Sequence, residues 1–299
     1  MDIKPLKQFL ALADSLHFGR ASETCHVSPS TLSRSIKQLE HSLGVTLFER
    51  DNRSVRLTRE GIRFQQYARD CLMQWDVLRH SLQQESGELQ GEVSIFCSVT
   101  ASYSFLYEIL SEFRLKHPGI EIKLHTGDHA LAIPRVLAGD EDITIAARPD
   151  QLPAGMSFKQ IANSPLVFIA PVDEPSLAEQ LSGAEQDYCW QDIPMILSEE
   201  GLARKRLDRW FRDKNIKPKI YAQVAGQEAI VSMVSLGFGV AVVPKIVVDN
   251  SPLASRVRIL EVEPALEPFK VGLCALEKKL KNPLIHALWS QIKETQSSQ

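Results

Sequence analysis

The segment 28–44, SPSTLSRSIKQLEHSLG, constrains the fold most, because it specifies one helix together with its start, its buried side and its end. Ser28 is a preferred N-cap residue, and Pro29 suits the first helical position, where its missing N–H leaves no hydrogen bond unmade. Gly44 is the usual residue just after a helix. The stripe predicted to be buried consists of Leu32, Ile36, Leu39 and Leu43. The segment therefore predicts an amphipathic helix with a polar opposite face.

Two more helices are predicted before this one. Apolar residues spaced near 3.6 residues indicate a first helix at about 3–16, which His17-Phe18-Gly19 interrupts. A short second helix is expected at about 20–25, followed by a tight turn. Two helices joined by such a turn, the second beginning with small polar residues, match the geometry in which a recognition helix enters the DNA major groove by its N-terminal end.

The predicted DNA contacts lie on this helix pair and on the segment after it. The first turns of a recognition helix approach phosphates and base edges, where small hydroxyls make contacts without bulk. Residues 47–50 and 55–57 predict two short strands around the turn 51–54, which form a basic wing. The predicted DNA-binding residues are Arg20, Ser30, Thr31, Ser33, Arg34, Lys37, Arg50, Arg53 and Arg56. A helix pair alone also occurs as plain packing, and serines often only cap helices, but the wing favours DNA binding.

A long helix is predicted from Arg59 to about Glu85, with Thr58 as its cap. Apolar residues recur along it at steps of three and four, namely Phe64, Tyr67, Cys71, Trp75, Leu78 and Leu82. Such a stripe can pack on its own domain, yet a helix of about 40 Å that leaves a small DNA-binding unit favours pairing with a second copy. A dimer of this kind would recognise an inverted repeat. The polar segment 86–91 indicates a hinge.

After Glu92 the pattern changes to short apolar runs separated by helices. The predicted strands are Val93 to Cys97, Ile120 to Leu124, Ile143 to Ala147, Leu166 to Ala170, Met195 to Leu197, Ile220 to Val224 and Val240 to Val243. This alternation predicts α/β structure with largely parallel sheets. Ligands in such sheets bind beyond the carboxyl ends of the strands, beside helix N-termini.

Three polar segments follow predicted strands and indicate a pocket for a small carboxylate. Their hydroxyls and free backbone N–H groups suit an anion, with Arg148 or Arg204 as the counter-charge. The predicted effector-binding residues are Ser98, Thr100, Ser102, Arg148, Gly201, Arg204, Gly226, Gln227 and Glu228. Taken singly, each has a plainer explanation, because Ser and Thr cap many helices and both arginines could simply be solvated.

Composition excludes several classes of protein. The net charge of −3 means that a nucleic-acid partner must be held by a local basic patch. No apolar stretch approaches the roughly 20 residues of a membrane helix, and the first ten residues lack a signal-peptide profile, so the cytosol is expected. The five cysteines are scattered without CxxC spacing, which indicates reduced thiols and predicts no metal site. No cofactor is predicted either.

The run FGRASETCHVSPSTLSRSIKQLEHSLGVTLFERDNRSVRLTREG resembles the winged helix-turn-helix of LysR-type transcriptional regulators. The resemblance continues through the hinge, FRLKHPGIEIKL, residues 138–143 and SMVSLGFGVAVVPKIV. It implies an α+β chain with a two-lobed effector domain like periplasmic binding proteins, in which the chain crosses at about Asn163 and returns at about Pro268. It also implies dimers that pair into tetramers, and contact with RNA polymerase.

The resemblance sets the expected domain boundaries. The winged helix-turn-helix covers 1–58, the dimerisation helix 59–86, the hinge 87–91 and the effector domain 92–299. Within the effector domain, the first lobe covers about 92–163 and 268–299, and the second about 164–267.

Within the family, HVSPSTLSRSI, RDNRSVRLT, IFCSVTASYS and GQEAIVSMVSLGFGVAVVP resemble the branch that activates the acetohydroxy acid isomeroreductase gene of isoleucine and valine biosynthesis. That resemblance implies acetolactate and acetohydroxybutyrate as effectors. The sequence departs from the broader family at Pro29, where glutamine is usual. Because proline cannot make the glutamine's contact with DNA, Pro29 is expected only to shape the start of the helix.

Other classes of protein fit the sequence less well. A transporter's solute-binding protein would share the two-lobed fold, but it predicts a signal peptide and no helix-turn-helix. An enzyme could use Cys97 and His125 as nucleophile and base, yet no nucleophile elbow, phosphate loop or metal motif supports it. A LysR-type regulator could serve another pathway with a different carboxylate. It could also sense redox state through Cys97, Cys189 or Cys274, although buried, inert thiols fit better.

Overall fold

The computed structural model of the chain describes residues 3–50, 54–83, 89–178, 180–181 and 188–292. These residues belong to two compact units, Met1–Gly87 and Glu88–Gln299, called here the first and the second unit. Three predicted features lie partly outside the described residues: positions 51–53 of the wing turn 51–54, with Arg53, the end of the long helix at 84–85 and the hinge residues 86–88.

The first unit contains four helices and a small hairpin in the described residues. The helices are α1 (Lys4–Ser15), α2 (Phe18–Thr24), α3 (Pro29–Leu43) and α4 (Arg59–Gln83), and the strands are β1 (Phe48–Arg50) and β2 (Val55–Leu57). The antiparallel hairpin follows α3, as the wing prediction requires. The hydrophobic core of the first unit is built from side chains of all four helices and of β1, including Phe9, Leu12, Ala21, Leu32, Ile36, Phe48 and Ala68.

Helix α3 has the start and the end that its sequence predicts, but its buried stripe is shorter: Leu39 is half-buried and Leu43, in the last turn, is 43% exposed. The Ser28 hydroxyl accepts a hydrogen bond from the Thr31 N–H at 3.2 Å, and Gly44 ends the helix in the left-handed conformation at φ +68°. Leu32 and Ile36 are fully buried against the other helices. Two such side chains contribute about 3–6 kcal/mol of apolar burial, which holds α3 on the unit.

Helix α2 begins two residues earlier than predicted. Phe18 and Gly19 were expected to interrupt the helices, but both are helical. The reason is His17, whose Nδ1 accepts a hydrogen bond from the Arg20 N–H at 3.3 Å and so acts as an N-cap. Histidine is not among the usual capping residues, so local preference did not indicate this start.

The second unit consists of two five-stranded sheets with helices around them. Its described strands are β3 (Gly91–Cys97), β4 (Ile120–Thr126), β5 (Ile143–Ala147), β6 (Met156–Ser164), β7 (Leu166–Pro171), β8 (Pro194–Ser198), β9 (Lys219–Val224), β10 (Val240–Pro244), β11 (Val257–Leu260) and β12 (Phe269–Leu276). Its described helices are α5 (Val99–Lys116), α6 (Ala132–Ala138), α7 (Pro175–Ala178), α8 (Leu202–Asp213), α9 (Gln227–Ser235), α10 (Lys245–Asp249) and α11 (Pro283–Gln291).

Each sheet defines a lobe. The first lobe has the strand order β4-β3-β5-β12-β6, and the second has β11-β7-β10-β8-β9. The chain passes from β6 to β7 through Pro165 and returns between β11 and β12. The two lobes are therefore joined by two nearby crossings, and the first lobe is built from discontinuous sequence.

The prediction of largely parallel sheets is correct only for part of each sheet. β3 pairs parallel with β4 and β5, and β8 pairs parallel with β9 and β10. The pairs β12–β5, β12–β6, β10–β7 and β11–β7 are antiparallel. The physical reason is the double crossing, because a strand that leaves a lobe and one that returns to it run in opposite directions. Strands β6, β11 and β12 were not predicted from the sequence.

Candidate functional site

The exposed face of α3 is the first candidate site, and it carries hydroxyls and cations. The Ser28 hydroxyl lies 2.9 Å from the Ser30 hydroxyl and 2.8 Å from that of Thr31, so the leading turn presents a connected group of hydroxyls. Arg34 and Lys37 are exposed on the next turns, whereas Ser33 is half-buried. This face combines small hydroxyls and positive charge at a helix N-terminus, which suits phosphates and base edges.

The other predicted cations that the structure describes in the first unit have different surroundings. Arg56 is exposed on β2. Arg20 donates from Nη2 to the Ser15 carbonyl at 2.9 Å. Arg50 pairs with Glu40 at 2.8 Å and lies over the Phe18 ring, 5.2 Å from its centroid. Arg50 therefore has a structural task in addition to its positive charge.

Glu40 explains how the wing is attached to the recognition helix. Its Oε1 accepts hydrogen bonds from the N–H groups of Leu47 and Phe48, at 2.9 and 3.1 Å. Its Oε2 accepts a hydrogen bond from Arg50 Nη2 at 2.8 Å. One carboxylate thus joins the end of α3 to strand β1. The sequence reasoning missed Glu40, because its partners lie seven to ten residues away, beyond helical spacing.

The second candidate site is a cavity of about 330 Å³ between the two lobes of the second unit. It lies beyond the carboxyl ends of β3 and β8, where ligands bind in α/β sheets. Most of its wall is apolar, with Phe105, Ile133, Ile145, Ile246, Val247, Phe269 and Val271 among the lining residues. Its polar lining consists of Ser98, Thr100, His129, Ser164, Lys205 and Gln227. A small ligand with a polar end and a short apolar part fits such a wall.

Four of the nine predicted effector residues line this cavity, namely Ser98, Thr100, Gly201 and Gln227. Gly226 caps α9 beside it, and the Ser102 hydroxyl donates to the Val99 carbonyl at 2.7 Å. Arg148 is exposed and lies over the Phe158 ring at 5.6 Å. Neither Ser102 nor Arg148 belongs to the lining.

Arg204 does not belong to the cavity lining. Its Nε donates to Asp208 at 2.9 Å, and its Nη1 donates to the Ser198 carbonyl and to the Gln223 side chain, at 2.9 and 2.8 Å. The cation that lines the cavity is its neighbour, Lys205. Successive residues on a helix point about 100° apart, so the sequence indicated a cation on α8 without deciding which one faces the cavity.

Glu228 binds across the lobes to the start of α5. Its Oε1 accepts hydrogen bonds from the Thr100 hydroxyl at 2.6 Å and from the Thr100 N–H at 3.0 Å. The N-terminus of α5 therefore binds a carboxylate, and that carboxylate belongs to the chain itself. Because Thr100 also lines the cavity, a ligand there lies next to a contact that joins the two lobes.

His129 was missed by the sequence reasoning, although it contacts both lobes. Its Nδ1 lies 3.1 Å from Asp128 Oδ1, and its Nε2 lies 3.3 Å from the Gln227 amide nitrogen. Burial lowers the pKa of His129, so the ring is neutral at neutral pH. A neutral ring whose proton is on Nδ1, beside the Asp128 carboxylate, has Nε2 free to accept from Gln227.

The thiols do not form a catalytic arrangement in the described residues. Phe96 pairs with His125 across β3 and β4, so Cys97, one residue later, points to the opposite face of the sheet from His125. Burial raises the pKa of Cys97 to about 11 and that of Cys274 to about 12, and Cys189 is exposed. No group of three or more His, Cys, Asp or Glu residues in the described parts of the chain could hold a metal ion. Likewise, none of the helices described is long and apolar enough to span a membrane.

Two families cover almost the whole chain. The family described as "Bacterial regulatory helix-turn-helix protein, lysR family" matches residues 3–62, and the "LysR substrate binding domain" matches residues 86–297. The first match contains α3 and the wing, and the second contains both lobes with the cavity between them.

Curated relatives match over nearly their full length. The chain is 48% identical to the HTH-type transcriptional activator IlvY of Salmonella typhimurium and 47% identical to the HTH-type transcriptional regulator IlvY of Escherichia coli K12, over 97% of this chain and 98% of each relative. A full-length OxyR variant from Pseudomonas aeruginosa has the same fold, with a TM-score of 0.72 at 24% identity, over 100% of this chain and 99% of that one. The chain therefore belongs to the LysR family and is a DNA-binding transcriptional regulator.

Proposed function

We propose that the chain activates the acetohydroxy acid isomeroreductase gene of isoleucine and valine biosynthesis in response to acetolactate or acetohydroxybutyrate. The observation that carries this proposal is the 47–48% identity to IlvY regulators over 97% of the chain. The cavity supports it independently, because a mainly apolar wall with a lysine and several hydrogen-bonding groups suits a small hydroxy-keto carboxylate.

In this proposal α3 reads DNA in the major groove. Ser30, Thr31, Ser33, Arg34 and Lys37 contact base edges and phosphates from α3, and Arg20, Arg50, Arg53 and Arg56 add phosphate contacts around it. Pro29 occupies the first helical position and carries no hydrogen-bond donor, so it shapes the helix start. The contacts with base edges are made by the residues that follow it. Full-length CbnR, whose structure in complex with its target DNA is known, has a similar fold, with a TM-score of 0.61 at 20% identity over 98% of this chain and 99% of that one.

The proposed assembly is a homodimer through α4 that pairs into a tetramer on an inverted repeat and contacts RNA polymerase. Support for the dimer comes from α4, whose Tyr67, Leu78 and Leu82 side chains are 59, 52 and 67% exposed in the single chain. Large apolar side chains at helical spacing gain about 25 cal/mol per Å² when a partner helix covers them. A second copy of α4 supplies a matching surface by symmetry.

The effector acts by binding one arrangement of the lobes better than another, since a ligand shifts an equilibrium only through such a difference. The Thr100–Glu228 hydrogen bonds join the lobes beside the cavity and so depend on lobe separation. An effector that changes this separation changes the geometry of the oligomer and the bend of the bound DNA.

Arg34→Ala is expected to weaken binding to the isomeroreductase promoter DNA by about 1–3 kcal/mol, because a guanidinium that contacts a base edge contributes on that scale. The affinity for random DNA should change much less. Fluorescence anisotropy with promoter and random duplexes measures both affinities at one salt concentration.

Arg56→Ala is the matched control for this experiment, since Arg56 is an exposed arginine of the same unit assigned to phosphate. It should weaken binding to both duplexes equally and reduce the slope of log affinity against log salt by about 1. Equal losses on promoter and random DNA for Arg34→Ala would remove the proposed role of α3 in sequence reading.

Acetolactate is expected to bind the full-length protein and to raise its unfolding temperature, because a ligand that binds only the folded state stabilises it. Isothermal titration calorimetry and a thermal shift assay measure the two effects, with pyruvate and acetate as comparison acids. Absence of both heat and thermal shift with acetolactate and acetohydroxybutyrate would exclude the branched-chain effectors. Binding of another small carboxylate alone would assign the regulator to another pathway.

A further inference from the structure

Two buried polar side chains in the cavity lining each have an oxygen atom without a hydrogen-bond partner among the described residues. Ser164 is 3% exposed and its Oγ has no partner, and Gln227 is 4% exposed and its Oε1 has none. A buried polar group left unpaired costs about 1–3 kcal/mol. Both residues line the cavity between the lobes, so a small movement of either side chain would bring its unpartnered atom within reach of a molecule bound there.

The orientation of the Gln227 amide follows from its neighbour. The amide nitrogen lies 3.3 Å from His129 Nε2, and His129 Nδ1 lies 3.1 Å from the Asp128 carboxylate. The negative charge of the Asp128 carboxylate favours the proton on Nδ1, so Nε2 is the acceptor of the ring and the amide N–H₂ donates to it. The chain Asp128–His129–Gln227 therefore assigns nitrogen and oxygen of the amide, and it leaves Oε1 as the unpartnered atom.

An amide oxygen can only accept, so its partner must be a donor. Carboxylate and ketone oxygens of a ligand are acceptors and cannot satisfy it. Of the polar groups on a small hydroxy acid, only the hydroxyl donates at neutral pH. The ligand that completes this site therefore carries a donor, and on an effector of the proposed class, a hydroxy-keto carboxylate, that donor is the hydroxyl group.

We propose that Gln227 Oε1 accepts a hydrogen bond from the effector's hydroxyl, which makes Gln227 the residue that selects hydroxy acids over acids without a hydroxyl. This proposal rests on the proposed effector site, and it adds the side chain that recognises the hydroxyl of the ligand. Lys205 at the cavity wall pairs with the carboxylate, and the apolar lining holds the alkyl substituents. His129 is a positioning residue, because it holds the amide in the required orientation.

The selection has a physical basis in the cost of leaving Gln227 unpaired. A ligand with a methyl group in place of the hydroxyl fills the same volume but leaves Oε1 without a donor. Sites that hydrogen-bond a ligand hydroxyl discriminate strongly against analogues that lack it, whereas apolar pockets discriminate weakly. Ser164 can donate or accept and so imposes no such requirement.

The test compares two stable acids that differ only in this group, 2-hydroxy-2-methylpropanoate and 2,2-dimethylpropanoate. Calorimetry with the full-length protein should give at least a roughly tenfold preference for the hydroxy acid, the factor that corresponds to about 1.4 kcal/mol. In Gln227→Met, which keeps the length of the side chain but removes the acceptor, the preference should fall to nearly one. Ser111→Ala is the control, because the exposed Ser111 hydroxyl is bonded to the Glu108 carbonyl within α5 and does not line the cavity.

Each outcome bears on the proposal. A wild-type preference near one, or a preference that Gln227→Met retains, would overturn the assignment of Gln227. A thermal scan of Gln227→Met shows whether the variant is folded, and the His129→Leu comparison tests the same amide if it is not. If the two acids are discriminated but acetolactate does not bind, the branched-chain assignment fails while the role of Gln227 stands. If no hydroxy acid binds at all, both are wrong.

His129→Leu provides a second test, which distinguishes a positioning role of His129 from a purely structural one. It removes the acceptor that orients the amide, so Gln227 can turn its nitrogen toward the ligand. The affinity for the hydroxy acid should fall, while that for 2,2-dimethylpropanoate stays unchanged. Equal losses for the two acids would indicate that His129 only supports the fold.

Discussion

Replacing Gly61 by alanine is expected to destabilise the first unit by about 3 kcal/mol and to abolish DNA binding near the growth temperature. A Cβ at Gly61 would lie 2.1 Å from the Leu47 carbonyl oxygen and 3.0 Å from Leu57 Cδ2. The carbonyl cannot move freely, because it accepts a hydrogen bond from the Thr58 N–H at 3.0 Å, and the Leu47 N–H is held by Glu40. The first turn of α4 would therefore be pushed off the wing.

The matched control is Gly44→Ala. Gly44 has a positive φ of +68°, but a Cβ there would meet nothing within 4 Å, so only backbone strain of about 1 kcal/mol is expected. Urea denaturation followed by circular dichroism measures both variants, and anisotropy with promoter DNA measures the functional loss. If Gly61→Ala unfolds at the same urea concentration as Gly44→Ala, the close packing of α4 on β1 does not stabilise this unit.

Asp142→Ala is expected to cost about 3 kcal/mol in the second unit, because it removes the acceptor for three donors. Oδ2 accepts from the Ser94 N–H at 2.9 Å and from the Ser94 hydroxyl at 3.1 Å, and Oδ1 accepts from Lys279 Nζ at 2.8 Å. The Lys279 side chain is 13% exposed, so its charge would be left largely buried with less compensation. The variant would lose the carboxylate that connects strand β3, the turn before β5 and the segment before α11.

Glu112→Ala is the control for this second variant. It also removes a carboxylate paired with a lysine, but the Lys116 and Glu112 side chains are 59 and 69% exposed. Exposed pairs contribute about 0–1 kcal/mol, so stability should hardly change. Urea denaturation of the full chain and calorimetry with acetolactate measure the loss of stability and of binding. Equal stability of the two variants would show that Asp142 is not a structural centre of the first lobe.

The features that the sequence determined by itself are those that depend on near neighbours in the chain. Ser28 caps α3 through a residue three positions away, Gly44 ends it, and the Thr58 hydroxyl accepts from the Gly61 N–H at 2.9 Å at the start of α4. The strands with continuous apolar runs and the polar segments that follow them were also predictable, because burial on both faces requires such runs.

The tertiary structure decided what depends on residues far apart in the chain. Thr100 and Glu228 are 128 positions apart, and no local pattern indicates that their lobes meet there. The direction of β12 follows from the double crossing, and the choice of Lys205 over Arg204 follows from how α8 is rotated on its sheet. Gln227 was predicted as a polar residue after a strand, but its unpartnered oxygen exists only because His129 of the other lobe holds the amide nitrogen. Spacing in the sequence determines helices and caps, whereas contact between distant segments determines which polar atoms remain free to bind a ligand.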